Sequence, residues 1–203
     1  MFSTTWANEA SLRMLSVIIP TEGVEHPAVA TLATLVPGAA AGVVSEVLLV
    51  DRGGSGVIER VADVAGCRYL SSDGTRAAAL AAGARAARAP WLMFLHPGAV
   101  LDPGWIEETT QFINTVASSG KPRAAVFRYA RSPYADRRLR DGFKAIARMM
   151  TGPSAEQGLL IAHDHYDRLG GYRPDARRSE ARLLRQLGRS SRTLLRSRIM
   201  VVA

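Results

Sequence analysis

Short runs rich in branched aliphatic residues alternate with helix-like segments through the first half of the chain. Strands are predicted at residues 15–19, 46–50, 67–70 and 91–95, and helices at 28–36, 57–66 and 75–88. Because these strands are apolar at every position, both of their faces must be covered, which favours a mostly parallel sheet between helices. The sequence therefore predicts an α/β fold, and 203 residues suit a single domain.

Prolines, glycines and capping residues set the predicted boundaries. The helix at 28–36 is expected to end at Pro37, and a further helix is expected to begin with Asp102 as its N-cap and Pro103 in its first turn. Gly120 would end that helix. In the second half, strands are predicted at 124–129, 158–162 and 198–203, and an amphipathic helix at 178–187.

The ends of the predicted strands carry the polar residues of the first half. They are the segments 20–21, 51–52 and 96–98. Because the carboxyl ends of parallel strands lie at one edge of a sheet, and ligands of such folds bind there, we expect a binding site at this edge.

The charge of the chain is divided unevenly. Residues 1–120 carry a net charge of −4 and residues 121–203 a net charge of +12, which together give +8. The positive charge is almost entirely arginine, whose forked donors suit phosphate groups. Nucleotides and an anionic membrane surface are therefore candidate partners. Nucleic acid is not expected, because no basic motif interleaved with aromatic residues occurs.

Composition restricts the location. No apolar run approaches the roughly 20 residues that span a bilayer, and the first ten residues lack the cationic and apolar parts of a secretory signal. The lone cysteine, Cys67, excludes an internal disulfide and a cysteine-based zinc site. We expect a cytoplasmic protein, with residues 131–140 as a basic face that could rest on the inner side of a membrane.

An ordered set of motifs resembles the family-2 glycosyltransferases of the GT-A fold, and in particular their short bacterial subgroup. The set consists of SVIIPT at 16–21, EVLLVD at 46–51, RAAALAAGARAARAPWLMFLH at 76–96, DPGW at 102–105, EQGLLI at 156–161 and RLGGY at 168–172. The resemblance runs over residues 14–203 and makes residues 1–13 an N-terminal extension. It implies transfer of a sugar, with inversion, from a nucleotide-diphosphate donor.

The resemblance also implies roles for individual residues. Pro20, Thr21, Asp51, Arg76 and His96 would lie at the nucleotide, with Arg76 holding the nucleotide or its diphosphate. The acidic pair that supplies the catalytic base maps onto residues 179–180. There Glu180 would deprotonate the acceptor hydroxyl that attacks the anomeric carbon.

Three positions depart from the family pattern. Gly23 and Val24 replace an Asn-Glu pair, and the turn after Asp51 lacks a second aspartate. The metal-binding acidic motif is replaced by His96, Pro97 and Gly98, where the related subgroup carries HAD, so that Gly98 occupies the position of the carboxylate. The resemblance implies Mg²⁺ or Mn²⁺, which require oxygen ligands that these residues do not supply. No metal-binding residue is therefore predicted.

Two interpretations stay open at this point. In the first, the chain is an active glycosyltransferase that uses a nucleotide-sugar donor, either without a metal ion, with arginines in its place, or with an altered site. In the second, it has lost catalysis and serves as a nucleotide- or partner-binding module. Asp51 has a structural alternative, as a cap of the glycine turn, and Glu180 has one as an exposed helix acid among arginines.

Overall fold

The computed structural model describes residues 14–130, 157–175, 179–188 and 190–202. The strands of this part are β1 Leu15–Thr21, β2 Val44–Asp51, β3 Arg68–Ser71, β4 Trp91–Phe94, β5 Ala99–Leu101, β6 Ala124–Tyr129, β7 Leu159–Ala162 and β8 Arg192–Val201. The helices are α1 Glu25–Ala40, α2 Val57–Ala65, α3 Arg76–Ala86, α4 Trp105–Ser119, α5 His163–Arg168 and α6 Ser179–Gln186. The basic segment 131–140 lies outside the described residues.

All eight strands form one sheet in the order β3-β2-β1-β4-β7-β6-β8-β5. The first four strands of that order are mutually parallel, and β6 and β8 are also parallel to each other. β7 runs antiparallel to both of its neighbours, and β5 runs antiparallel to β8. The mostly parallel sheet predicted from the sequence is confirmed.

Helices cover both faces of the sheet. Alternate residues of one strand serve opposite faces, as in β1, where Val17 packs with one apolar cluster and Ile18 with the other. α1, α2 and α4 cover the first face, and α3, α5 and α6 cover the second. This arrangement explains why the strands are apolar throughout.

The alanine-rich helix α3 lies very close to the sheet. A β-carbon built at Gly83 would lie 2.4 Å from Cγ2 of Ile18, so only small side chains fit on this face of the helix. The close packing fixes α3 against β1 and β2, and thereby fixes its first residue, Arg76, at the edge of the sheet.

The predicted end of α1 at Pro37 is wrong. The helix continues to Ala40, and its last turn packs against α4: Gly38 lies directly under the ring of Trp105. Trp105 Nε1 also donates to the carbonyl oxygen of Thr34 at 3.2 Å. These tertiary contacts stabilise a turn that the proline alone disfavours.

The predicted start of α4 is also wrong. The helix begins at Trp105 with Gly104 as its N-cap, and Asp102 instead accepts a hydrogen bond from the backbone N–H of Arg198 at 3.1 Å. Asp102 follows the short strand β5, which was not predicted and which pairs with β8. β8 itself begins at Arg192, earlier than expected.

Glu108 of α4 stabilises an irregular part of β8. The β6–β8 register shifts near Val126, and the carboxylate of Glu108 accepts the backbone N–H groups of Arg196 at 2.6 Å and Ser197 at 2.7 Å. Burial raises the pKa of Glu108, but these hydrogen bonds outweigh burial, and the pKa is lowered overall.

We predict that Glu108→Gln lowers the free energy of unfolding by about 1–2 kcal/mol, because the introduced amide group would face a backbone donor. Glu107→Gln is the matched control, since Glu107 is exposed on the same turn and should have little effect. Urea denaturation at neutral pH measures both. Equal decreases in the free energy of unfolding of the two variants would show that Glu108 does not stabilise the irregular part of β8.

Candidate functional site

The carboxyl ends of the central strands meet at one edge of the sheet, as the sequence predicts. Thr21 at the end of β1 lies in register with Asp51 at the end of β2. The neighbouring strand β4 ends at Phe94, and the chain continues to His96. Pro20 is buried inside β1, one residue before this edge.

Asp51 connects the loops that follow β1 and β2. Its Oδ1 accepts hydrogen bonds from the Thr21 hydroxyl at 2.9 Å and from the Gly23 N–H at 2.7 Å, and its Oδ2 accepts the Gly54 N–H at 3.0 Å. The residue is only 1% exposed. Its carboxylate therefore shapes the two loops, and the expected contact between Asp51 and a nucleotide stays a prediction.

The two loops touch through glycines at positions where the sequence departs from the family pattern. Gly23 has a φ of 75°, and a β-carbon built at Gly53 would lie 2.5 Å from the Gly23 backbone. Arg52 also links the loops that follow β1 and β2, because its Nη1 donates to Glu22 Oε1 at 2.6 Å. Its Nε donates to the carbonyl oxygen of Gly74, in the loop after β3, at 2.9 Å. Gly23 and Gly53 thus allow the two turns to pack closely against each other.

Arg76 and Glu180 form an ion pair across 104 residues of sequence. Arg76 Nε donates to Glu180 Oε1 at 2.8 Å, and the two side chains are 26% and 18% exposed. Arg76 begins α3, whose N-cap Thr75 also donates through its hydroxyl to the Pro174 carbonyl oxygen at 3.1 Å. The structure therefore brings together the predicted phosphate ligand and the predicted base.

A cleft of about 370 Å³ opens at this edge of the sheet. Its lining consists of Glu22, Val24, Pro27, Arg76, His96, Pro97, Val201 and Val202. The volume is within the range of small-ligand sites. Two predicted nucleotide-binding residues, Arg76 and His96, line the cleft, whereas Thr21 and Asp51 are buried and do not belong to its lining.

His96 is oriented by the carbonyl group of the next residue. Its Nδ1 lies 2.6 Å from the Pro97 carbonyl oxygen, which can only accept, so Nδ1 carries the proton and donates. In the neutral imidazole, Nε2 is then the acceptor.

The residues at the cleft do not fit a Mg²⁺ or Mn²⁺ site. Gly98 has a φ of 88°, and a β-carbon built there would lie 2.1 Å from the Val202 carbonyl oxygen. The Val202 N–H donates to the Gly98 carbonyl oxygen at 2.9 Å, so the residue that follows β8 fills the space that a carboxylate would need. Across the described ranges, no group of three or more His, Cys, Asp or Glu residues is placed to hold a metal ion.

Sequence reasoning missed the part of the cleft wall that β8 provides. Val201 pairs with Ala99 of β5, and this pairing brings the end of β8 to the edge of the sheet. The strand was predicted, but its neighbour was not, because pairing between distant strands leaves no local signal in the sequence.

Comparison with known proteins agrees with this architecture. No family model matches the chain, and no curated protein is similar to it in sequence. Glucosyl-3-phosphoglycerate synthase from Mycobacterium tuberculosis, solved with Mn²⁺, UDP and glucosyl-3-phosphoglycerate, is 18% identical with a TM-score of 0.64; the match covers 100% of this chain and 76% of that one. S. aureus TarS 1–349 is 13% identical with a TM-score of 0.67, with coverage of 93% and 60%.

Both of these structures are GT-A glycosyltransferases. At such low sequence identity the likeness establishes the fold, and this chain has the GT-A fold. The fold expected from the sequence motifs is thereby confirmed. In the described part of the chain, no helix is both long enough and apolar enough to cross a membrane.

We predict that Gly98→Ala lowers the free energy of unfolding by about 3 kcal/mol, because it combines a strained φ with a clash against β8. Gly66→Ala is the control: Gly66 has a φ of 66° but open space around it, so its loss should be about 1 kcal/mol. Chemical denaturation compares the two variants. Similar losses would mean that the end of β8 does not crowd Gly98.

A pH dependence follows from Asp51. Burial raises its pKa, but the hydrogen bonds from Thr21 and the loop amides outweigh burial, and the pKa is lowered. The ionised Asp51 carboxylate therefore stabilises the folded state fully above the unfolded-state pKa of about 4. This contribution is lost as the pH falls through the lower folded-state pKa. Asp51→Asn should be less stable than wild type at pH 7, and urea denaturation should show this difference shrinking towards pH 2–3. A constant difference would contradict this account.

Proposed function

We propose that this chain is a glycosyltransferase that binds a nucleotide-diphosphate sugar in the cleft at the carboxyl edge of its sheet. The observation that carries the proposal is the position of Arg76, whose guanidinium group lines a ligand-sized cleft in a GT-A fold. The structurally similar synthase was solved with UDP and glucosyl-3-phosphoglycerate, which supports a nucleoside diphosphate as the ligand class. Arg76 would bind the diphosphate through charge-assisted hydrogen bonds.

The remaining predicted residues have distinct proposed roles. Thr21 and Asp51 would hold the loop backbone against the nucleoside, since their side chains are bonded to that loop. Pro20 would fix the strand end beneath it. His96, whose Nε2 is an acceptor, would receive a hydrogen bond from the nucleotide sugar.

Transfer with inversion needs one base. An acceptor hydroxyl oxygen would attack the anomeric carbon from the side opposite the diphosphate, and the bond to the diphosphate would break as the new glycosidic bond forms. Glu180 is the proposed acceptor of the hydroxyl proton. Because its Oε1 is paired with Arg76, the base and the leaving-group ligand would be neighbours.

A second candidate function is nucleotide binding without transfer. The loss of the acidic metal position at Gly98 favours it, because departure of the diphosphate requires its charge to be neutralised. Both candidates use the same cleft, and they differ only in turnover.

We predict that the protein releases UDP or GDP from the corresponding nucleotide sugars, and that Glu180→Gln lowers this turnover at saturating donor about 100-fold. Asp175→Asn is the control, because Asp175 is an exposed acid on the same segment and should leave turnover unchanged. Chromatographic detection of the free nucleotide measures the reaction. Nucleotide binding without any sugar release would favour the binding module, and a complete lack of binding would refute both candidates.

A further inference from the structure

The diphosphate of a nucleotide sugar needs positive charge, which a protein provides with a hard divalent cation or with guanidinium groups. The residues around Gly98 and Arg76 decide whether this cleft provides a bound cation or a guanidinium group. This question rests on the proposed function, since it concerns the ligand of the same cleft.

The position of a cation ligand is closed by regular structure. Ala99 pairs with Val201 in the β5–β8 ladder, and the bond from the Val202 N–H to the Gly98 carbonyl oxygen continues that pairing. A side chain at Gly98 would have to displace the Val202 carbonyl oxygen. The obstruction is therefore part of the sheet, and removing it would break the end of the ladder.

The cleft residues that could bind a cation are already engaged. Glu22 is the carboxylate of the lining, and its Oε1 accepts from Arg52 at 2.6 Å. His96 offers a single nitrogen, because its Nδ1 is bonded to the Pro97 carbonyl oxygen. One imidazole nitrogen, from His96, and one carboxylate that is already paired with an arginine, from Glu22, make a poor site for a hard cation.

Arg76 is prepared to bind an anion. Its Nε is bonded to Glu180, while its Nη1 and Nη2 groups donate to none of the residues that the structure describes. The side chain is 26% exposed and lines the cleft. A guanidinium group anchored at Nε, whose terminal groups have no partner among the described residues, can bind phosphate oxygens in a bidentate manner.

The backbone on either side of the Arg76–Glu180 pair is anchored by hydrogen bonds. It lies in the first turn of α6, and the segment before α6 is joined to the start of α3 by the bond between the Thr75 hydroxyl and the Pro174 carbonyl oxygen. The adjacent Ser179 accepts the Arg173 N–H through its hydroxyl oxygen. These bonds hold the two segments that carry Arg76 and Glu180 next to each other.

We infer that this site binds its nucleoside diphosphate without a divalent cation, with Arg76 as the phosphate ligand and Glu180 as the residue that positions Arg76. The positioning role of Glu180 is separate from proton transfer. It predicts an effect on nucleotide affinity, which a base that acts only on the acceptor would not have.

The first test is calorimetric titration of the protein with UDP and with GDP, once in EDTA and once in excess Mn²⁺. We expect dissociation constants that agree within about threefold between the two conditions, because no cation contributes to the binding. Binding that occurs only in Mn²⁺ would overturn the inference and leave the proposed function intact. An absence of binding in both conditions would overturn the proposed function as well.

The second test uses variants of the ion pair, again in EDTA. Arg76→Gln should weaken nucleotide binding at least tenfold, with Arg76→Lys intermediate because it keeps the charge but loses the fork. Arg68→Gln is the matched control: Arg68 forms a comparable pair with Glu46, at 2.6 Å, at the amino end of the strands, and its loss should leave affinity unchanged. Circular dichroism confirms that each variant is folded.

Glu180→Gln separates the two roles of the carboxylate. We expect its dissociation constant for the nucleotide to rise about fivefold or more, which a positioning residue requires. An unchanged dissociation constant in Glu180→Gln would show that Glu180 does not orient Arg76. An unchanged constant in Arg76→Gln would overturn the assignment of the phosphate ligand.

Discussion

The parallel ladder of β2, β1 and β4 is the feature on which the cleft depends. Its strands are buried on both faces, so their direction and register are fixed by the two apolar clusters above and below the sheet. Because the strands run the same way, their polar ends meet at one edge. Asp51 then joins the ends of β1 and β2 through a buried carboxylate that accepts both a side-chain donor and backbone donors.

Electrostatics gives this edge its chemical character. The acidic residues Glu22 and Glu180 are each paired with an arginine, and Arg76, the partner of Glu180, lines the cleft. Gly98 stands where the resemblance predicts an acidic residue, and the Val202 carbonyl oxygen lies in the space that a side chain there would need. The positions that differ from the resembled pattern therefore form a consistent set, because each of them places less negative charge at the edge of the sheet.

Much of the fold could be predicted because the signals are local. The apolar strands, the alanine-rich helix α3 and the glycine that ends α2 each follow from a few adjacent residues. The errors arose where distant contacts outweigh local preference. α1 passes Pro37 because its last turn packs on Trp105, and Asp102 caps no helix because it binds β8 instead. Of the expected nucleotide residues, Arg76 and His96 line the cleft, while Thr21 and Asp51 are enclosed by their own loops.

The sequence by itself determined the class of fold and the edge at which polar residues gather, because strand polarity and helix periodicity are properties of short segments. It also determined that the metal motif was missing, since that required only the identity of one residue, Gly98. The tertiary structure alone decided that Glu180 pairs with Arg76 and that Val202 closes the position beside Gly98. Both contacts join segments separated by about a hundred residues, and such contacts are selected by the packing of the whole sheet.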